Sequence, residues 1–447
     1  MSSAIVPHIA KALTSSKLLN LKRALAEKKR MRKKQPHLVT VYLRINDPYS
    51  YLLLQVLDQL KMRYPIKYDF RTVFNLQQEM YPAPELWEKN AFNDGAYLSE
   101  LYELEFPQQR PETTPERDAQ LTAQLLHWEL QPGYLANALQ LFHAYWQQDP
   151  AKIDTLVSSA IPDHVECYQH HLAENETMLK DMGHYLSAML HYGGEWYWGL
   201  DRLEHLERRF NDMGLDQTGS SHVYFNRGYR EFCAQMSPAQ IIKTTSDTPI
   251  EIFWSIRSPY SYLGLLRAKQ LANYYQVPLV VKPVLPMVMR RMKVPKSKRF
   301  YIAMDTKREA DKYDIDFGFI ADPLGDGVER CYALYEFAKS EGKGVEYLES
   351  YARGVWAEGI RSDTDKGLQK IVERVGLNWQ QAKPQLQDDA WRIWVQQNLA
   401  EIYQNDLWGV PSFKYGEVKV FGQDRIDCIE RAIVRNLTGI NVVEEAL

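Results

Sequence analysis

Four cysteines are all that 447 residues contain, and Cys167, Cys233, Cys331 and Cys428 are scattered along the chain. None stands in a Cys-x-x-Cys pair and none has zinc-ligand spacing, so the local signatures of a dithiol redox centre and of a zinc finger are both missing. So few, dispersed thiols in a long chain read as the reduced thiols of a cytoplasmic protein. Histidine is absent from the whole second half: all eleven lie between His8 and His222. A Ser-His-Asp triad confined to that half is excluded. No apolar run approaches the roughly 18 residues that span a bilayer. No apolar segment followed by a small-residue cleavage site marks a secretory leader. Charge of one sign is not in excess either. The net charge is −3, and no nucleic-acid partner is expected.

What is present is the composition of a soluble globular protein, 45% hydrophobic and 25% charged. The length suggests two domains of about 150–200 residues. Residues 1–36 stand apart as a basic arm, helical or disordered. Ten Lys or Arg residues fall between Lys11 and Lys34 against one acid, Glu27, and Ile5, Ile9, Leu13, Leu18, Leu21 and Leu25 recur at roughly helical spacing. A solvated arm, an arm packed on a partner and an anchor on an anionic surface all fit that pattern. An organellar transit peptide fits its composition less well, because serines are few after Ser16.

The chain is organised around Glu251-Ile-Phe-Trp-Ser-Ile-Arg-Ser-Pro-Tyr-Ser-Tyr-Leu263. Alternating Ile250, Ile252 and Trp254 predict a strand. Ser258-Pro259 then opens a helix through Leu263, Leu266 and Leu271, with proline in the first turn, where its missing N–H costs nothing. Ser258 therefore belongs at a helix start. On its own that position supports two roles, a plain N-cap or a seat for a phosphate, carboxylate or thiolate.

The same stretch occurs earlier, as Asp47-Pro-Tyr-Ser-Tyr-Leu52, 211 positions upstream of Ser258-Pro-Tyr-Ser-Tyr-Leu263. The offset also pairs Pro84 with Pro295, Asp94 with Asp305, and Tyr102-Glu-Leu-Glu-Phe106 with Tyr313-Asp-Ile-Asp-Phe317. Nearer the ends, Trp198-Gly-Leu-Asp-Arg-Leu203 pairs with Phe421-Gly-Gln-Asp-Arg-Ile426 at an offset of 223. A repeat this long is a duplicated domain, since solenoid periods are about 20–50 residues. Each copy predicts strand, helix, strand, a long helical insertion, a hairpin and a final helix. In the second copy the hairpin is Gly409–Tyr415 and Val418–Phe421 about a turn at Gly416-Glu417. The expected boundaries are 37–210 for the first domain, 211–248 for a polar connector with one helix near Tyr229–Met236, and 249–440 for the second domain.

Ser258-Pro-Tyr-Ser-Tyr-Leu263, Gly409-Val-Pro-Ser-Phe413 and Phe421-Gly-Gln-Asp-Arg-Ile426, with Arg299–Asp305 and Tyr351–Ile360 between them, resemble 2-hydroxychromene-2-carboxylate isomerases. Kappa-class glutathione transferases share the pattern. The resemblance spans about 249–438. It implies an α/β chain of two tandem thioredoxin-like domains of DsbA type, each with an inserted helical block. It further implies glutathione as cofactor and Ser258 as the catalytic residue that meets its sulfur. Val410 and Pro411 would form a cis-proline loop pairing with its cysteinyl part, and Gln423 and Asp424 would hold its γ-glutamyl end. The expected partner is a small aromatic carboxylate, with Arg257, Tyr260 and Lys293 as substrate candidates. An internal pseudo-dimer is expected, and a homodimer stays open.

This chain departs from the family in places. The stretch Arg291-Met-Lys-Val-Pro-Lys296 lacks the asparagine that relatives carry before the proline-rich loop. In the first copy, Asp47 replaces the serine and Ala188 replaces the proline, so that copy reads as degenerate. The cluster His164, Glu166, Cys167, His170 and His171 reads as helix-surface polarity, and no metal is expected. Three functional readings remain: a glutathione-dependent isomerase or transferase, a DsbA-family protein-disulfide oxidoreductase, and a non-catalytic binding module.

Overall fold

The computed structural model describes residues 5–75, 80–81, 83–129, 131–157, 168–227, 232–292 and 294–439. The chain divides into two compact units. One is Asn20–Arg227, the first-sheet unit; the other joins Met1–Leu19 to Gly228–Leu447, the second-sheet unit.

The first sheet contains β1 (His37–Leu43), β2 (Ile66–Thr72), β3 (Met189–Tyr192) and β4 (Glu195–Trp198), in the order β2-β1-β3-β4. The second contains β5 (Ile250–Trp254), β6 (Leu279–Pro283), β7 (Ser412–Tyr415) and β8 (Val418–Phe421), in the order β6-β5-β7-β8. In both, the first two strands of the chain pair in parallel and the remaining pairs are antiparallel. A parallel pair needs a long crossover. Helices Pro48–Arg63 and Pro259–Tyr275 supply it, and each starts with proline in its first turn.

β5 differs from the alternating strand expected of it. Ile250, Ile252, Phe253 and Trp254 are all buried. It is the central strand, and both faces are covered, so no solvent face remains to alternate with. Phe253 packs with Ile402 and Leu407, while Ile252 and Trp254 lie in the main core. Glu251 stays half-buried because Lys414, its register partner on β7, lies 3.2 Å away.

The inserted helices lock onto the strand ends through tryptophan. In the second-sheet unit, Trp356 donates its indole N–H to the Ile256 carbonyl at 2.9 Å and stacks on Phe317. In the first-sheet unit, Trp146 donates to the Ile45 carbonyl at 3.1 Å and stacks on Phe106. Ile45 and Phe106 sit 211 positions before Ile256 and Phe317.

The basic arm is helical, as Val6–Leu13 and Ser16–Arg32, and the boundary between the units falls inside the second helix. The first helix packs within the second-sheet unit: Thr14 is buried, with its hydroxyl donating to the Gly318 carbonyl, and the His8 ring lies 5.0 Å from Phe319. The connector helix expected near Tyr229–Met236 falls partly outside the described residues. Residues 229–231 are outside the described residues and 232–236 are not helical. A short helix follows at Pro238–Ile241, started by a capping box between Ser237 and Gln240.

His164, Glu166 and Cys167 also lie outside the described residues. His171 sits 3.1 Å from Glu129 and His170 3.5 Å from Glu174. Among the described residues no group of three such side chains is placed to hold a metal. No helix of the described residues is long and apolar enough to cross a membrane.

Candidate functional site

The end of β5 and the start of helix Pro259–Tyr275 meet the loop before β7. Ser258 caps the helix: its Oγ accepts from the Ser261 N–H at 3.2 Å. The same hydroxyl donates to the Val410 carbonyl at 3.3 Å, at the long end for such a bond. The Val410–Pro411 peptide is cis. The Val410 N–H makes no hydrogen bond among the described residues. A half-buried hydroxyl, a helix start and an unpaired main-chain donor thus converge.

Behind the loop, the Pro411 carbonyl accepts from the Gly422 N–H at 2.9 Å, tying the loop to the turn before the last helix. Gly264, one turn into the helix, lets the loop close. A Cβ there would meet the Phe413 ring at 2.9 Å and Pro411 at 3.2 Å.

The other expected residues are placed differently. Gln423 is buried, and its side chain is consumed internally. Its amide oxygen accepts from Arg267 at 2.7 Å, and its amide nitrogen donates to Glu309 at 3.2 Å and to Asp424 at 2.6 Å. Arg267 also holds the Gln423 carbonyl at 2.6 Å. Asp424 is half-buried beside it. Arg257 makes a bidentate ion pair with Asp322, both contacts at 2.9 Å. Tyr260 donates to Asp305 at 2.7 Å. Lys293 lies outside the described residues. Ser258, Val410 and Pro411 therefore come together, whereas Arg257, Tyr260 and the Gln423 side chain are engaged by other protein groups.

Sequence reasoning missed Arg267, Glu309 and Asp322. No local pattern points to them. Asp305 did carry a signal, its pairing with Asp94.

The thiols stand apart from dithiol chemistry. Cys233, Cys331 and Cys428 form no disulfide. Burial, reinforced by Glu430, pushes the Cys233 thiol up to about 12, and burial holds Cys331 well above the ordinary thiol range.

Residues 249–434 match the DSBA-like thioredoxin domain family. They form a DsbA-like thioredoxin domain. Similar solved structures include a 2-hydroxychromene-2-carboxylate isomerase, at 21% identity over 42% of this chain and 95% of that one, with a TM-score of 0.38. A probable DsbA oxidoreductase from Streptomyces coelicolor is 19% identical over 42% of this chain and 89% of that one, with a TM-score of 0.35. A thioredoxin-like oxidoreductase from Silicibacter pomeroyi is 17% identical over 42% and 87%, with a TM-score of 0.29. No protein of curated function matches in sequence. In this DsbA-like domain, Ser258 and Ser261 hold the hydrogen-bonded positions at the helix start, and neither is a cysteine.

The first-sheet unit builds the same corner with other groups. Asp47 caps helix Pro48–Arg63, accepting from the Tyr49 and Ser50 N–H groups. Its carboxylate also accepts from the Ser50 and Ser187 hydroxyls at 2.7 and 2.8 Å. Ala188, with φ +55°, stands where the DsbA-like domain has Pro411, and its carbonyl likewise accepts from the glycine that follows the hairpin, Gly199, at 2.8 Å.

Proposed function

We propose that the chain is a glutathione-dependent enzyme acting on a small aromatic carboxylate, most like a 2-hydroxychromene-2-carboxylate isomerase, with Ser258 facing the sulfur. The reading rests on one observation: the Ser258 hydroxyl meets the cis Val410–Pro411 loop at a helix start. Bound glutathione would supply a thiolate that adds to an electrophilic carbon of the substrate and later leaves it. The Ser261 N–H already occupies a lone pair of Ser258 Oγ, so the hydroxyl proton is the free element of that group. Its bond to the Val410 carbonyl is long, and turning it toward a sulfur anion exchanges a weak bond for a charge-assisted one. The helix start adds positive potential at the same point. The unpaired Val410 N–H offers a donor to an extended peptide, a short case of strand addition.

The fit is partial at the γ-glutamyl end. The Gln423 side chain is spent on Arg267 and Glu309, so that end would rest on main-chain groups and Asp424. Arg257 is held by Asp322 and would orient the loop more than bind substrate. The shared strand order, the tryptophan anchors and the repeated motif support a tandem duplication whose first copy has lost thiolate chemistry, because the buried Asp47 carboxylate would repel a sulfur anion.

The deciding experiment is a calorimetric titration of the full chain with glutathione, with the thiolate absorbance followed in parallel, repeated on Ser258→Ala. Binding with thiolate absorbance that weakens in the variant supports the reading. No binding, or absorbance and turnover unchanged in the variant, overturns it. A protein-disulfide oxidoreductase reading is disfavoured by the raised thiols of half-buried Cys233 and buried Cys331, and robust reductase activity on a disulfide substrate would restore it.

A further inference from the structure

The second arm helix, Ser16–Arg32, has two unlike faces. Arg23, Ala26, Glu27 and Arg30 recur at helical spacing and are half-buried. Their charges are spent within the protein. Arg23 holds Glu195 with two contacts, at 2.7 and 2.8 Å, and Arg30 pairs with Glu27 at 2.9 Å. The opposite face is exposed. On it Leu21 and Leu25, one turn apart, are each more than half exposed, and so is Met31. Lys17 lies one turn before Leu21, Lys28 and Lys29 one turn after Leu25, and Lys22 and Arg32 are exposed on the same side. Among the described residues none of these five cations has an ion-pair partner. No acid shares their face, because Glu27, the helix's one carboxylate, is turned the other way.

The first arm helix, Val6–Leu13, is divided in the same manner. Pro7 and Thr14 are buried, and Lys11 lies 5.2 Å from the centre of the Phe319 ring. Ile5, Ile9 and Leu13 recur every four residues on the outer side, and all three are exposed, as is Val6. Contiguous apolar stripes rimmed by charge mark a docking face, whereas single exposed leucines do not.

The occupant has to satisfy both features. A nucleic-acid strand would neutralise the lysines and leave the leucines in water. A second copy of the arm would cover the leucines and bring like charges together. An anionic bilayer answers both. The apolar side chains enter the boundary between headgroups and acyl chains, while the lysine stems reach back to the phosphates.

We propose that the arm docks the protein on the surface of a membrane bearing anionic phospholipids, lying in the interface without crossing it. The two apolar stripes supply the burial. Lys17, Lys22, Lys28, Lys29 and Arg32 supply the attraction, each worth about fivefold in affinity near such a surface. The inference concerns the arm alone and stands whether or not the glutathione reading does.

The test sediments the full chain with vesicles of phosphatidylcholine alone and of phosphatidylcholine mixed with phosphatidylglycerol. Binding is expected to the mixed vesicles only, and to fall steeply towards about 1 M salt, where charges are screened beyond about 3 Å. Changing Lys28→Gln and Lys29→Gln together should weaken it by about 30-fold. Changing Leu21→Ser and Leu25→Ser together should weaken it by at least about tenfold. All four side chains are exposed, so thermal unfolding of both variants should match the parent. No binding, equal binding to both kinds of vesicle, or binding unchanged in the leucine variant overturns the proposal. So does binding of nucleic acid, or self-association through the leucines, in place of vesicle binding. Hydrogen exchange of the unmutated protein on mixed vesicles decides it without a variant. Slowed exchange within residues 5–34 is expected, and slowing only elsewhere overturns it.

Discussion

The Tyr260 hydroxyl donates to the Asp305 carboxylate at 2.7 Å, and the Tyr49 hydroxyl donates to Asp94 at 2.8 Å. The two pairs sit 211 positions apart in sequence and tie the first turn of the crossover helix to the inserted helices in each unit. Asp305 is almost wholly buried and also lies 3.6 Å from Arg308, so the tyrosine bond serves one of several contacts to a buried carboxylate. Tyr260→Phe should destabilise the DsbA-like domain by about 1 kcal/mol, the net worth of one hydrogen bond. Urea unfolding should show a lower midpoint with an unchanged slope for that transition.

Ser258→Asp is the most discriminating substitution at the candidate site. Asp47 shows that aspartate caps this helix start, so the stability cost should stay below about 1 kcal/mol. The carboxylate would repel a sulfur anion, and the thiolate absorbance of bound glutathione should disappear. Ser258→Ala should cost about 1 kcal/mol as a lost cap. It should also raise the bound thiol pKa by about one to two units, the worth of one charge-assisted bond. An absorbance titration against pH reads both effects.

Arg267 supports the site from beneath. Arg267→Met would strip the Gln423 carbonyl and amide oxygen of their donor. A loss of about 3–5 kcal/mol is expected, as when one partner of a buried charged network is removed. Arg267→Lys should recover part of it, because a single ammonium cannot copy the fork. Thermal unfolding of the variants checks this.

Lys298, in helix Lys296–Lys312, is the group with a clear pH signature. Burial lowers its ammonium to about 8 from the usual 10.5. Between those values the unfolded chain holds the proton and the folded chain does not, so this lysine makes stability rise with pH across the window from about 8 to 10.5. Below about 8 the folded state bears the cost of the buried charge. Lys298→Met should be more stable than the parent at pH 7, with the difference vanishing by about pH 10.5. Denaturation at a series of pH values measures it.

The repeat, the helix starts and the closing hairpin were legible in the sequence because they are local. Pro48 and Pro259 sit in first turns behind a capping Asp47 or Ser258, and Gly416-Glu417 stands between β7 and β8. Strand β5 is legible in the alternation of Ile250, Ile252 and Trp254, and it forms at Ile250–Trp254, with Phe253 buried as well because a central strand has both faces covered.

By itself the sequence determined the order of elements, the positions of the two helix caps and the difference between Asp47 and Ser258. Only the tertiary structure decided what those residues touch. Arg257 meets Asp322 across 65 positions, Gln423 meets Arg267 across 156, and Ser258 meets Val410 across 152. Caps and turns arise from forces between neighbours in the chain. Charge pairing and burial depend on which distant segments the packed core brings together, and for that reason these contacts appear only in the folded units.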